Sequence, residues 1–546
     1  MEKSMKKLFI YLTICATAGL SACNKDTLQQ VDPNSPTPSS LNTESGIKDF
    51  ALGVFQKWIA DVPGASGSNI MFLGTNNHSI LGDEVFSPYG NYGMRYTGQT
   101  YSITLPDGTK VINPIGNTQQ EQLKSTNTRL SGSTNSFLYE WMACYFTNAQ
   151  ANLLLTSLDN TELKLSGDAA TKKAVLSAWA YWWKGFSYSR IGSMYIAGVI
   201  TNEPGNGLTN GNFVDHDAII TEANANFDKA IDILNGLTEN ADYDALMTAI
   251  IPTFNDNTDI TTPAMWIRMI NTYKARNFLA NHKVATMTAA DWATVKTLAS
   301  AGSLSSDVVF QFGMDPDATN DLSGNFFHPF AFMGEGAAFT FVSERLIQDF
   351  KTGDQRFTKN FELLPAAQVN VRSRGLQFGT RWNAIAIEDG GRYATNNSVG
   401  IMPLSVSYEE AALMVAEADI HTDAIEAGLA LIDEVRDFQG AGLAHVAGTG
   451  LNLAQATEEL RRERRIGLFQ RGVAFYDARR WGVTAPAAQG GGRAGAIVMV
   501  PGQYIGSNAA QALPCFMDYN YMDYWDVPQN ELDFNAAATG SAPIKN

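Results

Sequence analysis

From about position 47 onward, apolar residues recur at intervals of three and four, the spacing that lines one face of an α-helix. Within Thr171 to Phe186 the pattern picks out Val175, Ala178, Trp179, Trp182 and Phe186, and it predicts these tryptophans as core rather than as a ligand platform. The same spacing predicts helices over Phe137 to Leu158, Thr221 to Leu237, Ala264 to Asn281, Ser343 to Lys351, Leu404 to His421 and Ala424 to Phe438. The last two are separated only by Thr422 and Asp423, which leaves room for a tight antiparallel turn. That is the build of a helical-hairpin repeat, although no strict sequence period recurs. The expected fold class is therefore all-α. Two stretches, Gly74 to Asn135 and Asp307 to Ala338, are rich in Gly, Asn and aromatic residues and exceed ordinary loop lengths, so they are expected to be functional or disordered loops on the helical frame.

The N-terminus has a different pattern. Lys3, Lys6 and Lys7 precede an apolar run from Leu8 to Leu20 that is too short to span a bilayer, and Leu20-Ser21-Ala22-Cys23 closes it with small residues before a cysteine. This is the pattern of a bacterial lipoprotein signal: residues 1–22 are removed and Cys23 becomes the acylated N-terminus. Residues 23–46, with Pro33, Pro36 and Pro38 among Ser and Asn, read as a lipidated flexible tether.

Charge and cysteine content narrow the partners. Removing three lysines and one glutamate with the signal moves the formal net charge from −16 to −18, a surface that repels nucleic acid. Cys144 and Cys515 then remain beside the acylated Cys23, too few for a disulfide framework. Cys144 shares a helical face with Trp141, Tyr145 and Ala149 and is expected to be a buried free thiol.

Enzyme signatures are sparse. The six histidines show no metal-ligand spacing, and no cofactor or metal is expected. Gly490 to Gly495 forms a glycine-rich loop without the Gly-Lys-Ser/Thr end that holds a phosphate, and is expected to be a flexible connection. Ser45-Gly46-Ile47-Lys48 and Lys351-Thr352-Gly353 match two elements of penicillin-binding serine enzymes. Chance accounts for the first, and Gly353 reads as a helix C-cap, whereas the enzymes need that triplet on a strand. A glycosidase carboxylate pair stays open, with no acidic residue singled out. Arg461, Arg462, Arg464, Arg465, Arg471, Arg479 and Arg480 alternate with Glu458, Glu459, Glu463 and Asp477 at helical spacing. That alternation suits arginine–carboxylate links inside the chain. Arg464, Arg465, Asp477, Arg479, Arg480 and Trp481 are accordingly expected to be structural.

Aromatic residues without a core period mark the candidate binding site. Asp83 to Tyr101 carries Phe86, Tyr89, Tyr92, Tyr96 and Tyr101; the second insert carries Asn325, Phe326, Phe327, His328 and Phe330; Trp382 stands beside Asn383. Flat rings with amides nearby suit the apolar faces and polar rims of sugars. The competing reading is that the rings glue loops to the frame. Tyr89, Tyr92, Tyr96, Phe326, Phe327, Trp382 and Asn383 are the candidate ligand residues.

Four segments carry a family likeness. Tyr408 to Leu443 (YEEAALMVAEADIHTDAIEAGLALIDEVRDFQGAGL), Glu459 to Gly482 (ELRRERRIGLFQRGVAFYDARRWG), Ser343 to Phe357 (SERLIQDFKTGDQRF) and Val527 to Asn535 (VPQNELDFN) resemble, in order, blocks of the SusD/RagB-like outer-membrane nutrient-binding lipoproteins of Bacteroidetes. Gly467, Gln470 and Ala474 depart from the commoner Glu, Glu and Arg of that pattern. The resemblance implies a single α-helical domain over 47–546, with tetratricopeptide-like hairpins wrapped by long loops. It also implies a binding protein and not an enzyme, surface-exposed and lipid-anchored in the outer membrane. Its implied partners are a SusC-like TonB-dependent transporter and an oligosaccharide, or alternatively a peptide. A surface lipoprotein hydrolase is the reading from another class.

Overall fold

A computed structural model describes residues 38–59, 61–62, 65–87, 90–205, 208–250, 260–314, 340–369, 378–385 and 400–546. The signal segment, Cys23, Tyr89, Phe326 and Phe327 lie outside the described residues. The architecture is mainly α-helical, with small sheets set into it.

The core is built by α1 (Glu44–Ile59), α2 (Ile70–Leu81), α3 (Phe137–Leu158), α4 (Ala169–Met194), α5 (His216–Asn235) and α6 (Pro263–Ala280). Side-chain caps start them: Asp168 accepts from the Thr171 N–H, Asp215 from Ala218, and Thr262 from Met265 ahead of Pro263 at the first helical position. Trp179 and Trp182 on α4 are fully buried, as their spacing predicts, and so is Trp183, which the pattern does not pick out. Trp179 stacks on Trp182 at 5.6 Å and meets Trp266 of α6 edge-on at 6.2 Å. Gly185 lets α5 approach, because a Cβ there would sit 2.5 Å from the Phe227 ring.

Toward the C-terminus, α7 (Ala289–Ser300), α8 (Glu344–Ile347), α9 (Tyr408–His421), α10 (Ile425–Phe438), α11 (Leu453–Gly467) and α12 (Ala474–Arg480) follow. The α9–α10 pair is the hairpin expected from sequence. Asp423 turns it at φ +64°, and Gly428 brings the helices close, a Cβ there lying 2.6 Å from the Ala416 carbonyl. A four-stranded antiparallel sheet joins distant chain: Arg493–Val500 pairs with Gln511–Asp518, which pairs with Ser102–Thr104, which pairs with Lys110–Ile112.

Five local expectations differ from the structure. Gly74 to Asn135 is not one long loop: its first residues complete α2, whose Asn76, Asn77, His78 and Ser79 are buried, so polar side chains inside the core hide the helical period. The helix expected over Ser343 to Lys351 stops at Ile347 and tightens into i→i+3 turns, Asp349 N–H to Leu346 and Phe350 N–H to Ile347; Gly353 sits in the next turn at φ +93°. Gly490 to Gly495 is not one flexible connection: Gly490 to Gly492 form a turn, close-packed at Gly491, where a Cβ would lie 1.9 Å from the Ala485 carbonyl, and Arg493 to Gly495 begin a strand. Cys144 is a buried free thiol, but its face continues through Asn148 and Ala151 while Ala149 is exposed. The last stretch of the expected tether is held to the body: Asn42 donates to Glu162 at 2.7 Å and Glu44 pairs with Lys172 at 2.7 Å.

Candidate functional site

The arginine block forms a buried lattice. Arg480 reaches from α12 to both carboxylate oxygens of Glu417 on α9 at 2.6 Å and to Asp477 at 2.7 Å, and Arg464 holds the same Asp477 from α11 at 2.8 Å. Trp481 donates its indole N–H to Glu417 at 3.1 Å. Burial alone would raise the Asp477 carboxyl; Arg464 and Arg480 more than offset it and hold it below the usual range. Glu463 is held down in the same way by Arg356 and Arg436, against burial. Arg479 departs from the expected carboxylate pairing. It donates to the carbonyls of Ser193, Asp523 and Ala280 at 2.8, 2.8 and 2.6 Å, so it satisfies the ends of α4 and α6, where carbonyls lack helical partners.

Against this lattice sits the segment that the aromatic pattern singled out. Arg465 donates to the carbonyls of Gly82 and Asp83 just past α2, and Arg345 grips the Asp83 carboxylate at 2.7 Å. The following strand, Val85–Phe86, pairs with Phe341–Val342, and Phe86 stacks on Phe341 at 5.5 Å. The chain then turns through Tyr92 at φ +56° and Gly93 at φ +75°, where a Cβ on Gly93 would lie 2.2 Å from the Ser136 hydroxyl. A small cavity of about 30 Å³ follows, walled by Phe86, Ser87, Arg95, Gln99, Phe378 and Tyr521.

Its polar edges are available. Gln99 is buried and neither amide atom finds a partner among the described residues; the Arg95 Nε is likewise unpartnered. Arg95 lies over the Tyr96 ring at 4.5 Å and donates to its hydroxyl at 2.7 Å. Tyr96 and Tyr92 are half-buried, and Tyr92 meets Tyr139 edge-on at 6.1 Å. Phe378 precedes the strand Thr380–Ala384, which holds Trp382 and Asn383 and pairs with Phe361–Gln368. Trp382 is half-buried against Phe357 at 5.1 Å, and its indole N–H and the Asn383 carbonyl oxygen find no partner among the described residues.

The cavity thus brings Phe86 together with Phe378, near the start of the Trp382 strand. Tyr92, Tyr96, Trp382 and Asn383 do not line it. Arg95, Gln99 and Phe378 were not singled out by sequence reasoning; the one available signal was a lone arginine inside an uncharged aromatic run. Elsewhere, Lys351 pairs with Glu459 at 2.6 Å, which ties it to the lattice and not to a serine. Among the described residues no group of His, Cys, Asp and Glu could hold a metal, and no helix is long and apolar enough to cross a membrane.

The fold and the C-terminal sequence have counterparts among known proteins. Residues 408–539, which span the α9–α10 hairpin, the arginine block and the C-terminal segment, match the SusD family model. The structure is similar to a SusD-like carbohydrate binding protein from Bacteroides fragilis, with a TM-score of 0.56 at 14% identity over 91% of this chain and 99% of that one. It is also similar to a SusD-like carbohydrate binding protein from Bacteroides vulgatus (0.53, 13%, 91% and 98%) and to B. fragilis NanU (0.53, 14%, 94% and 100%). No curated relative matches the chain. The chain therefore has the SusD-like fold, and its C-terminal quarter carries the SusD family pattern.

Proposed function

We propose that this protein is a glycan-binding lipoprotein of the outer-membrane surface that captures oligosaccharide and passes it to a SusC-like TonB-dependent transporter. The observation that carries this reading is the SusD family match over residues 408–539, joined to a fold shared with proteins named as carbohydrate binding. The aromatic segment and the Trp382 strand support it with the chemistry sugars need: half-buried rings at Tyr92, Tyr96 and Trp382, and polar groups on Arg95, Gln99 and Asn383 that find no partner among the described residues. In this reading residues 1–22 are the signal, Cys23 carries the lipid, the stretch before Pro38 is the tether, and the remaining chain is one binding domain without catalytic activity.

Two measurements test it. Affinity electrophoresis against a panel of neutral polysaccharides should retard the wild-type protein on at least one gel; mobility unchanged on every gel would remove the glycan reading. Cys23→Ala should move the protein out of the outer-membrane fraction and abolish acyl labelling. A variant that stays in that fraction without lipid would refute the anchor.

A further inference from the structure

A second cavity, of about 270 Å³, opens where α11 and α12 meet the strand that begins at Arg493. Its rim carries Glu458, Arg461, Arg462 and Trp481, and its floor carries Asp349, Arg465 and Arg493. The rim is open, with Arg461, Arg462 and Glu458 side chains 22%, 35% and 43% exposed, whereas Asp349 is 2% exposed. Asp83 belongs to the walls of both this cavity and the aromatic one.

The charges in this cavity do not balance. Asp349 alone takes Arg461 at 2.8 Å, Arg465 at 2.7 Å and Arg493 at 2.7 Å. Glu458 takes Arg461 at 2.7 Å and Arg462 at 2.9 Å. The other two acids on the wall have cations of their own: Asp83 is held by Arg345, and Asp477 by Arg464 and Arg480. Among the described residues, four guanidiniums therefore share two carboxylates. Burial and the like charges of Arg465 and Arg461 pull the Arg493 guanidinium below its ordinary value, against the attraction of Asp349. Uncompensated charge in a half-enclosed site is costly, and guanidinium forks are matched to oxyanions.

The glycine-rich turn that sequence analysis left without a role explains how Arg493 gets there. Gly491 and Gly492 admit the backbone of Ala485 and the ring of Phe516 within 1.9 and 2.5 Å of where a Cβ would stand, so the strand starts deep enough for Arg493 to reach Asp349.

We propose that this arginine-lined cavity is a binding site for an oxyanion: a carboxylate, sulfate or phosphate, free or carried on a sugar ring. Apolar walls at Leu81, Val483, Ala474 and Ala478 and the Trp481 indole fit an attached ring, and the volume is that of roughly nine waters. The site stands independently of the aromatic cleft, so its failure would leave the glycan reading intact.

The test is calorimetry on the purified full chain at constant ionic strength set with chloride, using inorganic phosphate, galacturonate and galactose as probes. Phosphate or galacturonate should bind while galactose does not compete for this site. Galacturonate alone places the oxyanion on a sugar, and phosphate binding equally well or better places it free. Arg461→Gln with Arg462→Gln, both on the open rim, should weaken binding about tenfold or more. Glu458→Gln should tighten it, because it removes a competing carboxylate. Absence of binding by both anions, or affinity unchanged in both variants, would overturn the proposal.

Discussion

The arginine lattice and the aromatic cleft lie side by side in this molecule and differ in how their buried acids and amides are satisfied, although Arg436 Nη1 and Arg464 Nη1 in the lattice also find no hydrogen-bond partner among the described residues. In the lattice every buried acid that faces an arginine has its oxygens committed: Glu417 to Arg480 and Trp481, Asp477 to Arg464 and Arg480, Glu463 to Arg356 and Arg436. Around the cleft, Gln99, Arg95, Trp382 and Asn383 keep polar atoms without partners among the described residues. Satisfied polar networks fix helices in register, whereas unsatisfied buried groups are tolerated where a ligand or water completes them. The contrast fits a stabilising role for the committed acids of the first region and is consistent with the binding role proposed for the second, which the following variants test.

Arg480→Ala should break this contrast most severely. It strips Glu417 and Asp477 of their shared cation inside the core, at an expected cost of about 3–5 kcal/mol. Denaturant unfolding should show that loss, and any oligosaccharide affinity should survive under conditions where the variant is folded. A variant of wild-type stability that no longer binds would place Arg480 in the recognition region instead.

The converse experiment is Tyr92→Ala, Tyr96→Ala and Trp382→Ala together. Covering an aromatic ring with apolar sugar C–H groups removes apolar area from water at about 25 cal/mol per Å², on the order of 1 kcal/mol per ring, so affinity for the glycan identified by electrophoresis should drop about 100-fold or more. The melting temperature should change far less than in Arg480→Ala, since none of the three rings is fully buried. Unchanged affinity would leave the rings as packing between loop and frame.

The two regions also differ in how they can be read from sequence. The lattice was legible because its partners recur at helical intervals: Arg461 and Arg462 reach Glu458 three and four residues back, and Arg480 reaches Asp477. Even so, the long-range partners, Glu417 for Arg480 and Asp349 for Arg465, lie 63 and 116 residues away and no local period reports them. Arg479 looked the same in sequence and serves helix ends instead, because what it meets is set by where α4 and α6 stop. The helices were largely legible, with Phe137–Leu158 matching its predicted limits, but α2 was not: its buried face carries Asn76, Asn77 and His78. In the cleft, composition alone marked the segment. Which rings face the cavity depends on the Tyr92–Gly93 turn and on pairing with Phe341, features with no periodic signature.

Glu84 sharpens the boundary between the regions. It sits beside Asp83, is fully buried, and accepts from the Gln470 N–H at 3.3 Å while its other oxygen finds no hydrogen-bond partner among the described residues. Burial pushes its carboxyl from 4.5 up to about 8. A folded-state value above the unfolded one means that the folded form holds the proton more tightly, so this contribution to stability is complete below pH 4.5 and declines as pH rises toward 8. Glu84→Gln should remove that decline. The variant's advantage over wild type should grow by about 1.4 kcal/mol per pH unit within this window, reaching about 2–3 kcal/mol by about pH 6.5, measured by urea unfolding at several pH values. A difference independent of pH would show that Glu84 is already ionised and paired.

The smallest effect is expected at the start of α1, where Glu44 meets Lys172 at 2.7 Å and accepts from the Ser166 hydroxyl and N–H at 2.6 and 2.7 Å. These bonds, Lys172 first, lower the Glu44 carboxyl from 4.5 to about 2. Here the sign is opposite to that of Glu84: the contribution is present above pH 4.5 and lost as pH falls toward 2. The pair lies near the surface, with side chains 9% and 22% exposed, so solvent screening limits its worth to about 1 kcal/mol, well under the cost at Arg480. Lys172→Met should therefore lower stability by about that amount at pH 7 and by nothing measurable near pH 2. Glu44 opens α1 and Lys172 lies in the first turn of α4, so a loss near 3–5 kcal/mol at neutral pH would extend the buried-lattice behaviour to the junction of these two helix starts.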